Sequence, residues 1–317
     1  MPAGYTHMMV SDRALEAVKQ GKLIDAPLLG SLFENSHFTQ LGSLGPDYPY
    51  LDLLQPGQKK WADHMHYDHT GDIIKTMAEQ LLERIRSGFE APGFIIPFSW
   101  LLGYISHVTV DIVVHPVVMG IVGSYEGHEA EHRYCEMIQD ALIYNHVRNG
   151  AEIEHSGLRR VLRQCSDPGD DDKIHPALRD FWSGALESIF SQDYAAGEPH
   201  IDEWHDEFED FLGLASELPT FIGKLLDRSH KFTYQKSSEI SDNDRQKFWN
   251  HVPLPNGNFG QYTQDVFPWA VRYVSEKWVS LSSGLLAGDI DDFLSSIRNC
   301  NMDTGAEYLS EYWGVPA

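Results

Sequence analysis

Apolar positions recur along this chain at intervals of three and four, and strict two-residue alternation is scarce. Ile73, Met77, Leu81 and Ile85, with Ile74, Ala78 and Leu82 beside them, form one wide apolar stripe, which is the pattern of a helix with a buried face. A second stripe, Ile201, Trp204, Phe208, Phe211 and Leu212, faces away from Asp202, Glu203, Asp206, Glu207, Glu209 and Asp210. That acidic run reads as the solvated side of an amphipathic helix, not as a calcium site. Val266, Trp269, Tyr273, Trp278 and Leu281 mark a long helix that Gly284 is expected to end. Asp289 is then expected to cap a helix carrying Ile290, Phe293, Leu294 and Ile297. A first helix is expected over Ser11 to Gln20, with His7 ahead of it. Turn-rich breaks fall at Gly42 to Pro56, Gly88 to Gly93, Ser166 to Asp172 and His251 to Gly260. The pattern predicts an all-α protein, a compact multi-helix bundle without internal repeats. The Ser166–Asp172 loop is the one seam, dividing a helical core over 1–165 from additional helices over 166–317 packed on the same domain.

The most apolar stretch, Gly93 to Gly123, changes this picture only by its exceptions. His107, Asp111 and His115 lie inside it with Pro97 and Pro116, so a membrane span would place three ionisable groups in lipid. A buried core helix is expected instead, and no transmembrane segment. The composition, 42% apolar with 22% charged residues, can build a sizeable core and excludes a disordered chain. Acids outnumber Lys plus Arg by 47 to 24, a net charge of −23, which opposes binding to nucleic acids and to anionic membranes. Three cysteines form no CxxC pair, which removes thiolate zinc fingers and disulfide scaffolds. No basic segment followed by an apolar one opens the chain, so a cytoplasmic location is favoured. The count that stands out is histidine, at 16. Imidazole is suited to acid–base chemistry near neutral pH and to divalent metals.

The sharpest local pattern is His107-Val-Thr-Val-Asp111-Ile-Val-Val-His115. Positions i, i+4 and i+8 fall about 40° apart on a helix, so the three side chains share one face. Stacked in so apolar a helix, each costs several kcal/mol unless paired or bound to a metal, which points to metal ligation. His132 and Glu136 form a second i, i+4 pair able to present an imidazole and a carboxylate to one ion. Asp47 sits in the rigid turn Gly45-Pro46-Asp47-Tyr48-Pro49-Tyr50, and His64, His66 and His69 follow a short way downstream. A competing motif overlaps the second pair. His128-Glu129-Ala130-Glu131-His132 fits the HExxH of metalloproteases, but about 0.05 such matches are expected by chance in this composition. Gly120, Gly123 and Gly127 also weaken any helix that would hold His128. No GxSxG, P-loop or GxGxxG is present.

Taken in order, Thr6-His7, Gly-Pro-Asp47-Tyr-Pro-Tyr, Trp61 through Met-His66-Tyr, Leu-Gly-Tyr-Ile-Ser-His107-Val-Thr-Val-Asp111 with His115-Pro, and His132-x3-Glu136 make one constellation. It resembles the zinc-dependent phospholipase C family, which includes the catalytic domain of glycosylphosphatidylinositol-specific phospholipase D, and more distantly the S1/P1 nucleases. The resemblance covers residues 1 to about 140. It implies a helical bundle around a multinuclear site of two or three zinc ions. Asp47, His66, His107 and Asp111 would hold one zinc and His115, His132 and Glu136 a second. His7 with Asp111 would hold a third, making Asp111 a bridge. It further implies a phosphodiesterase acting on a phospholipid head-group ester through a hydroxide shared by paired zinc ions, with Asp47 as general base. Secreted members bind one zinc through a processed N-terminal Trp, and none lies near the start here. His64 and His69 are rivals to His66. Tyr48, Tyr50 and Tyr67 are candidates to receive a cationic head group by cation–π attraction. The other readings are a non-catalytic zinc-binding helical protein, an S1/P1-like nuclease and an HExxH protease.

Overall fold

The longest apolar run becomes one uninterrupted helix, and the rest of the chain is arranged around it. In the computed structural model, which describes residues 4–51, 56–88, 91–217 and 234–315, this helix is α7 (Ala91–Val122). It runs through Pro97 and Pro116, each of which removes one backbone donor without ending the helix. By length and hydropathy Gly93–Val122 is the one candidate membrane span among the described residues, yet 72% of its apolar window is buried inside the protein. The expected buried core helix is what the chain forms.

Before α7 come α1 (Gly4–Gly21), α2 (Ala26–Glu34), α3 (Ser36–Gly42), α4 (Tyr48–Leu51), α5 (Lys59–Tyr67) and α6 (Thr70–Arg86). After it come α8 (Glu129–Val147), α9 (His155–Gln164), α10 (Pro176–Ile189), α11 (Ser191–Ala196), α12 (Ile201–Glu217), α13 (Asp242–Arg245), α14 (Phe267–Ala287), α15 (Asp291–Ser295) and α16 (Leu309–Trp313). The only strands among the described residues form two small antiparallel hairpins, β1 (Ser166–Asp167) with β2 (Asp170–Ile174) and β3 (Val252–Pro253) with β4 (Phe259–Gly260). The protein is therefore all-α, as the periodicity predicts. The hairpins fall at two of the expected breaks. Residues 52–55 and 89–90, parts of the other two, lie outside the described residues.

α7 packs against α1, α3, α6, α8, α10 and α14. α3 crosses α7 at close range, and glycine makes it possible. A Cβ on Gly103 would lie 2.0 Å from the Thr39 carbonyl, and one on Gly42 would lie 2.1 Å from the Trp100 carbonyl. With hydrogen atoms there instead, the two backbones touch, and the end of α3 reaches the middle of α7. One continuous apolar core includes Trp61, Trp100, Trp182, Trp204 and Trp278, and so draws on residues from both sides of Ser166–Asp172.

Three expected boundaries are corrected. α1 begins at Gly4, not Ser11, because Tyr5, Met8 and Met9 extend its buried face by two turns, so His7 lies inside the helix. α14 continues past Gly284 to Ala287 and stops at Gly288, which adopts a left-handed φ of 74°. Gly284 serves close packing, since a Cβ there would lie 2.7 Å from the Asp289 carbonyl. The following helix α15 is capped at Ile290 and ends at Ser295, short of Ile297, while Asp289 accepts a bond from the Asp291 N–H.

Beside α7's neighbours, His205 of α12 is fully buried, bonded at Nδ1 to Tyr48 Oη (3.3 Å) and at Nε2 to Ser166 Oγ (3.0 Å). Burial pulls its pKa down to about 4, against the opposing pull of Glu209. Below its ordinary value of about 6.5 the unfolded chain takes up a proton that the folded chain refuses. This residue therefore removes stability as pH falls from about 6.5 to about 4, by about 3 kcal/mol in total. Urea unfolding in chelator across this range should show a shallower acid slope for His205→Asn than for wild type. Equal slopes would contradict the assignment.

Candidate metal centre

α7 carries three cluster residues on one face, and each neighbouring element adds its own. The Asp111 carboxylate, 1% exposed, meets three imidazoles. His107 Nε2 lies 3.2 Å from Oδ2, while His7 Nε2 (3.2 Å) and His115 Nε2 (3.5 Å) approach Oδ1. His107 and His115 come from the same helix, one turn to either side. His7 comes from α1, its ring stacked on that of His107 at 4.2 Å and 9°. Asp47, in a single 3-10 turn after α3, faces His66 of α5 with Oδ1 3.2 Å from Nε2. His66 meets His107 edge-on at 5.6 Å. On the far side, His115 Nε2 lies 3.7 Å from Glu136 Oε1 of α8.

The donor atoms of His7, His107 and Asp111 fall within 4.8 Å of one another, as do those of Asp47, His66 and His107. His107 belongs to both groups, so the two are continuous. Of the three rival histidines, only His66 joins the cluster. His64 stacks on Phe190 and pairs with Asp68 and Asp193, and His69 stands exposed at a left-handed position beside Asp72. His132 is buried on α8 but turns its Nε2 to the Gly123 carbonyl (2.8 Å), under the ring of Tyr125. His128 sits at the start of α8, exposed, with Nδ1 on the Ser124 carbonyl. Each histidine of HExxH thus bonds a main-chain carbonyl of the preceding loop.

Which nitrogen faces inward is set by the backbone. His66 Nδ1 donates to the Ala62 carbonyl (2.8 Å), His107 Nδ1 to Ser43 (2.9 Å) and His115 Nδ1 to Met302 (2.8 Å). With the proton held at Nδ1, a neutral imidazole presents a lone pair at Nε2. The partners there are carboxylate oxygens, which also carry lone pairs. Accordingly His66 Nε2, His107 Nε2, Asp47 Oδ1 and Asp111 Oδ2 have no hydrogen-bond partner, although they stand at ion-pair distance, and Asp47 Oδ2 has none either. Converging buried lone pairs need a proton or a metal cation between them. The donor set, imidazole and carboxylate without thiolate, suits zinc.

The electrostatics agree. Burial alone would push the Asp47 and Asp111 carboxyls up. Asp47 is instead held below its ordinary value by His107 and His66, and Asp111 far below by His115, His107 and His7. His107, which burial would push down, is raised to about 9 by Asp111 and Asp47. Glu136 is the reverse case, raised by burial to about 7 against the pull of His115. Two ionised carboxylates in a dry interior thus demand positive charge, from imidazole protons or from metal.

The sequence gives no sign of the carbonyls that orient these rings. Met302 lies far along the chain, in a segment tied to the site by several bonds. Its N–H donates to the His66 carbonyl, Thr70 Oγ1 donates to the Cys300 carbonyl, and Asn299 Oδ1 caps the start of α6 through the N–H groups of Gly71 and Asp72. Next to it Gly305, at φ 55°, leaves room for the Ile112 carbonyl, which a Cβ would approach to 2.6 Å.

A helical bundle enclosing a centre of histidines and carboxylates is the framework of a metal-dependent protein, and the comparison with known families makes the class specific. The family model described as zinc-dependent phospholipase C matches residues 6–192, so the chain belongs to that family. All eight candidate residues lie within the match, which runs through β1–β2 and α10, well past the last motif visible in the sequence at Glu136. No curated protein and no solved structure shows significant similarity to the chain.

If Asp111 is the hinge of the centre, replacing it with Asn keeps the shape but removes the charge that three imidazoles share. Elemental analysis of Asp111→Asn should then show at least one zinc fewer than wild type, with several kcal/mol of stability lost. One zinc or none in purified wild type would contradict a multinuclear centre.

Proposed function

We propose that the protein is a zinc-dependent phosphodiesterase that hydrolyses a phospholipid head-group ester. The observation that supports this most directly is the set of unpartnered Nε2 and carboxylate atoms aimed at one another around Asp111 and Asp47. His7, Asp47, His66, His107, Asp111, His115, His132 and Glu136 would together hold two or three zinc ions. Such ions act as Lewis acids toward a phosphoryl oxygen and make a nucleophile available from water near neutral pH. The protein's own residues supply the rest. Asp111 spans the centre with both carboxylate oxygens, and the Ser43, Ala62 and Met302 carbonyls hold the rings in one orientation. Asp47, kept ionised with both oxygens free of hydrogen bonds, is the group able to take a proton from the attacking water. To join His115 and Glu136 on a metal, His132 would have to exchange its bond to Gly123 for the ion.

The HExxH reading loses support because His128 is exposed and stands at the helix start rather than inside it. Glu129→Gln should therefore leave hydrolysis within about twofold of wild type, whereas Glu136→Gln should lower zinc content and activity together. Cleavage of casein that depends on Glu129 would reverse this ranking.

The substrate is read as a single phosphodiester carrying an uncharged or zwitterionic head group. A net charge of −23 opposes every added phosphate of a polyanion, while one phosphate needs only the metal centre to neutralise it. Of the three tyrosines considered for a cationic group, Tyr48 is excluded by complete burial against His205. Tyr67 is exposed and bonds Asp303 through its hydroxyl (3.0 Å), and Tyr50 bonds Asp63 (2.8 Å). The zinc-loaded protein, offered short-chain phosphatidylcholine and single-stranded DNA side by side at moderate salt, should release phosphocholine in a chelator-sensitive way. Cleavage of the DNA with the lipid intact would overturn the proposal.

A further inference from the structure

We infer that Asp140 is a positioning residue for His7, an inference that rests on reading His7 as a zinc ligand. The imidazoles of His66, His107 and His115 are each fixed at Nδ1 by a main-chain carbonyl, but His7 Nδ1 has no hydrogen-bond partner. The direction of its ring therefore depends on where α1 itself is held. The start of that helix is held by one side chain of α8.

Asp140 lies on α8, one turn beyond Glu136, and is fully buried. Its Oδ2 accepts the Tyr5 N–H at 3.1 Å and its Oδ1 the Thr6 N–H at 2.6 Å. Both donors belong to the first turn of α1, where backbone N–H groups lack partners within the helix and a negative charge is favoured. A third bond, 2.8 Å from Tyr234 Oη, orients the carboxylate. Tyr5 adds to the anchor through edge contacts with Tyr144 and Tyr234 and a bond from its hydroxyl to His155 Nδ1 (3.2 Å). The residue that follows this pinned turn is His7. Each residue along a helix advances 1.5 Å and turns 100°, so a slip of α1 by a fraction of a turn would carry Nε2 out of its 3.2 Å approach to Asp111. Asp140 thus joins α8, which supplies Glu136, to α1, which supplies His7, and fixes their spacing across the centre.

Three variants are compared: His7→Ala, Asp140→Ala and the double variant, each titrated with zinc against a competing chelator and melted with zinc and with EDTA. His7→Ala should weaken one zinc, which tests the ligand reading by itself. Asp140→Ala should weaken the same zinc by about 10- to 100-fold, the range typical when a group that orients a ligand is lost. The double variant should bind no more weakly than His7→Ala, and Asp140→Ala should lose more melting temperature with zinc than with EDTA. Wild-type zinc affinity in Asp140→Ala, or additive losses in the double variant, would overturn the inference while leaving the ligand reading intact. Full zinc binding by His7→Ala would overturn both. Should Asp140→Ala not fold, Asp140→Asn and Tyr234→Phe serve. Each keeps part of the anchor and should weaken the same zinc to a smaller degree, and unchanged affinity in both would overturn the inference.

Discussion

The Asp111 carboxylate is the interaction on which the structure depends. It is buried in the middle of the most apolar helix of the chain, and an ionised carboxylate there is tolerable only if positive charge surrounds it. Three imidazoles supply part of that requirement, and a metal centre is the arrangement that satisfies all their lone pairs together. Elements on several sides of α7 bring histidines or carboxylates to it. α1 brings His7, the turn after α3 brings Asp47, α5 brings His66 and α8 brings Glu136. The glycine contact of Gly42 and Gly103 belongs to the same requirement, because it carries the Ser43 carbonyl to His107.

Labour in this centre is divided between side chains that offer donor atoms and main-chain carbonyls that aim them. Carbonyls suit the second task because they are rigid parts of the helices and turns that form the core, so aim is retained as long as the fold is. The C-terminal segment takes part in it. Met302 orients His115 and donates its N–H to the carbonyl of His66, linking the ends of two elements that hold candidate ligands. That segment lies beyond the residues matched by the family model, so the centre is completed by chain that the family motifs do not include.

Membership of the zinc-dependent phospholipase C family makes zinc the metal expected of this protein and phospholipase C-like hydrolysis its broad class. A centre that concentrates positive charge in the interior is compatible with a net charge of −23 on the whole chain.

What was legible in the sequence is local. The spacing of His107, Asp111 and His115 follows from 3.6 residues per turn, and three ionisable groups on one apolar stripe require the same compensation in any helical fold. The helical class and the burial of α7 follow from periodicity in the same way. What only the tertiary structure decided depends on distant parts of the chain. His64, His66 and His69 are alike in sequence, and His66 is selected because α5 meets Asp47 with that face. The Gly123 carbonyl turns His132 aside through a loop whose path local pattern does not fix. His7 stood outside any expected helix, since the stripe that extends α1 to Gly4 is buried by contacts with α7, α8 and α14. The carbonyls of Ser43 and Met302 leave no trace in sequence at all, because every residue has a carbonyl and only packing decides which distant one faces an imidazole.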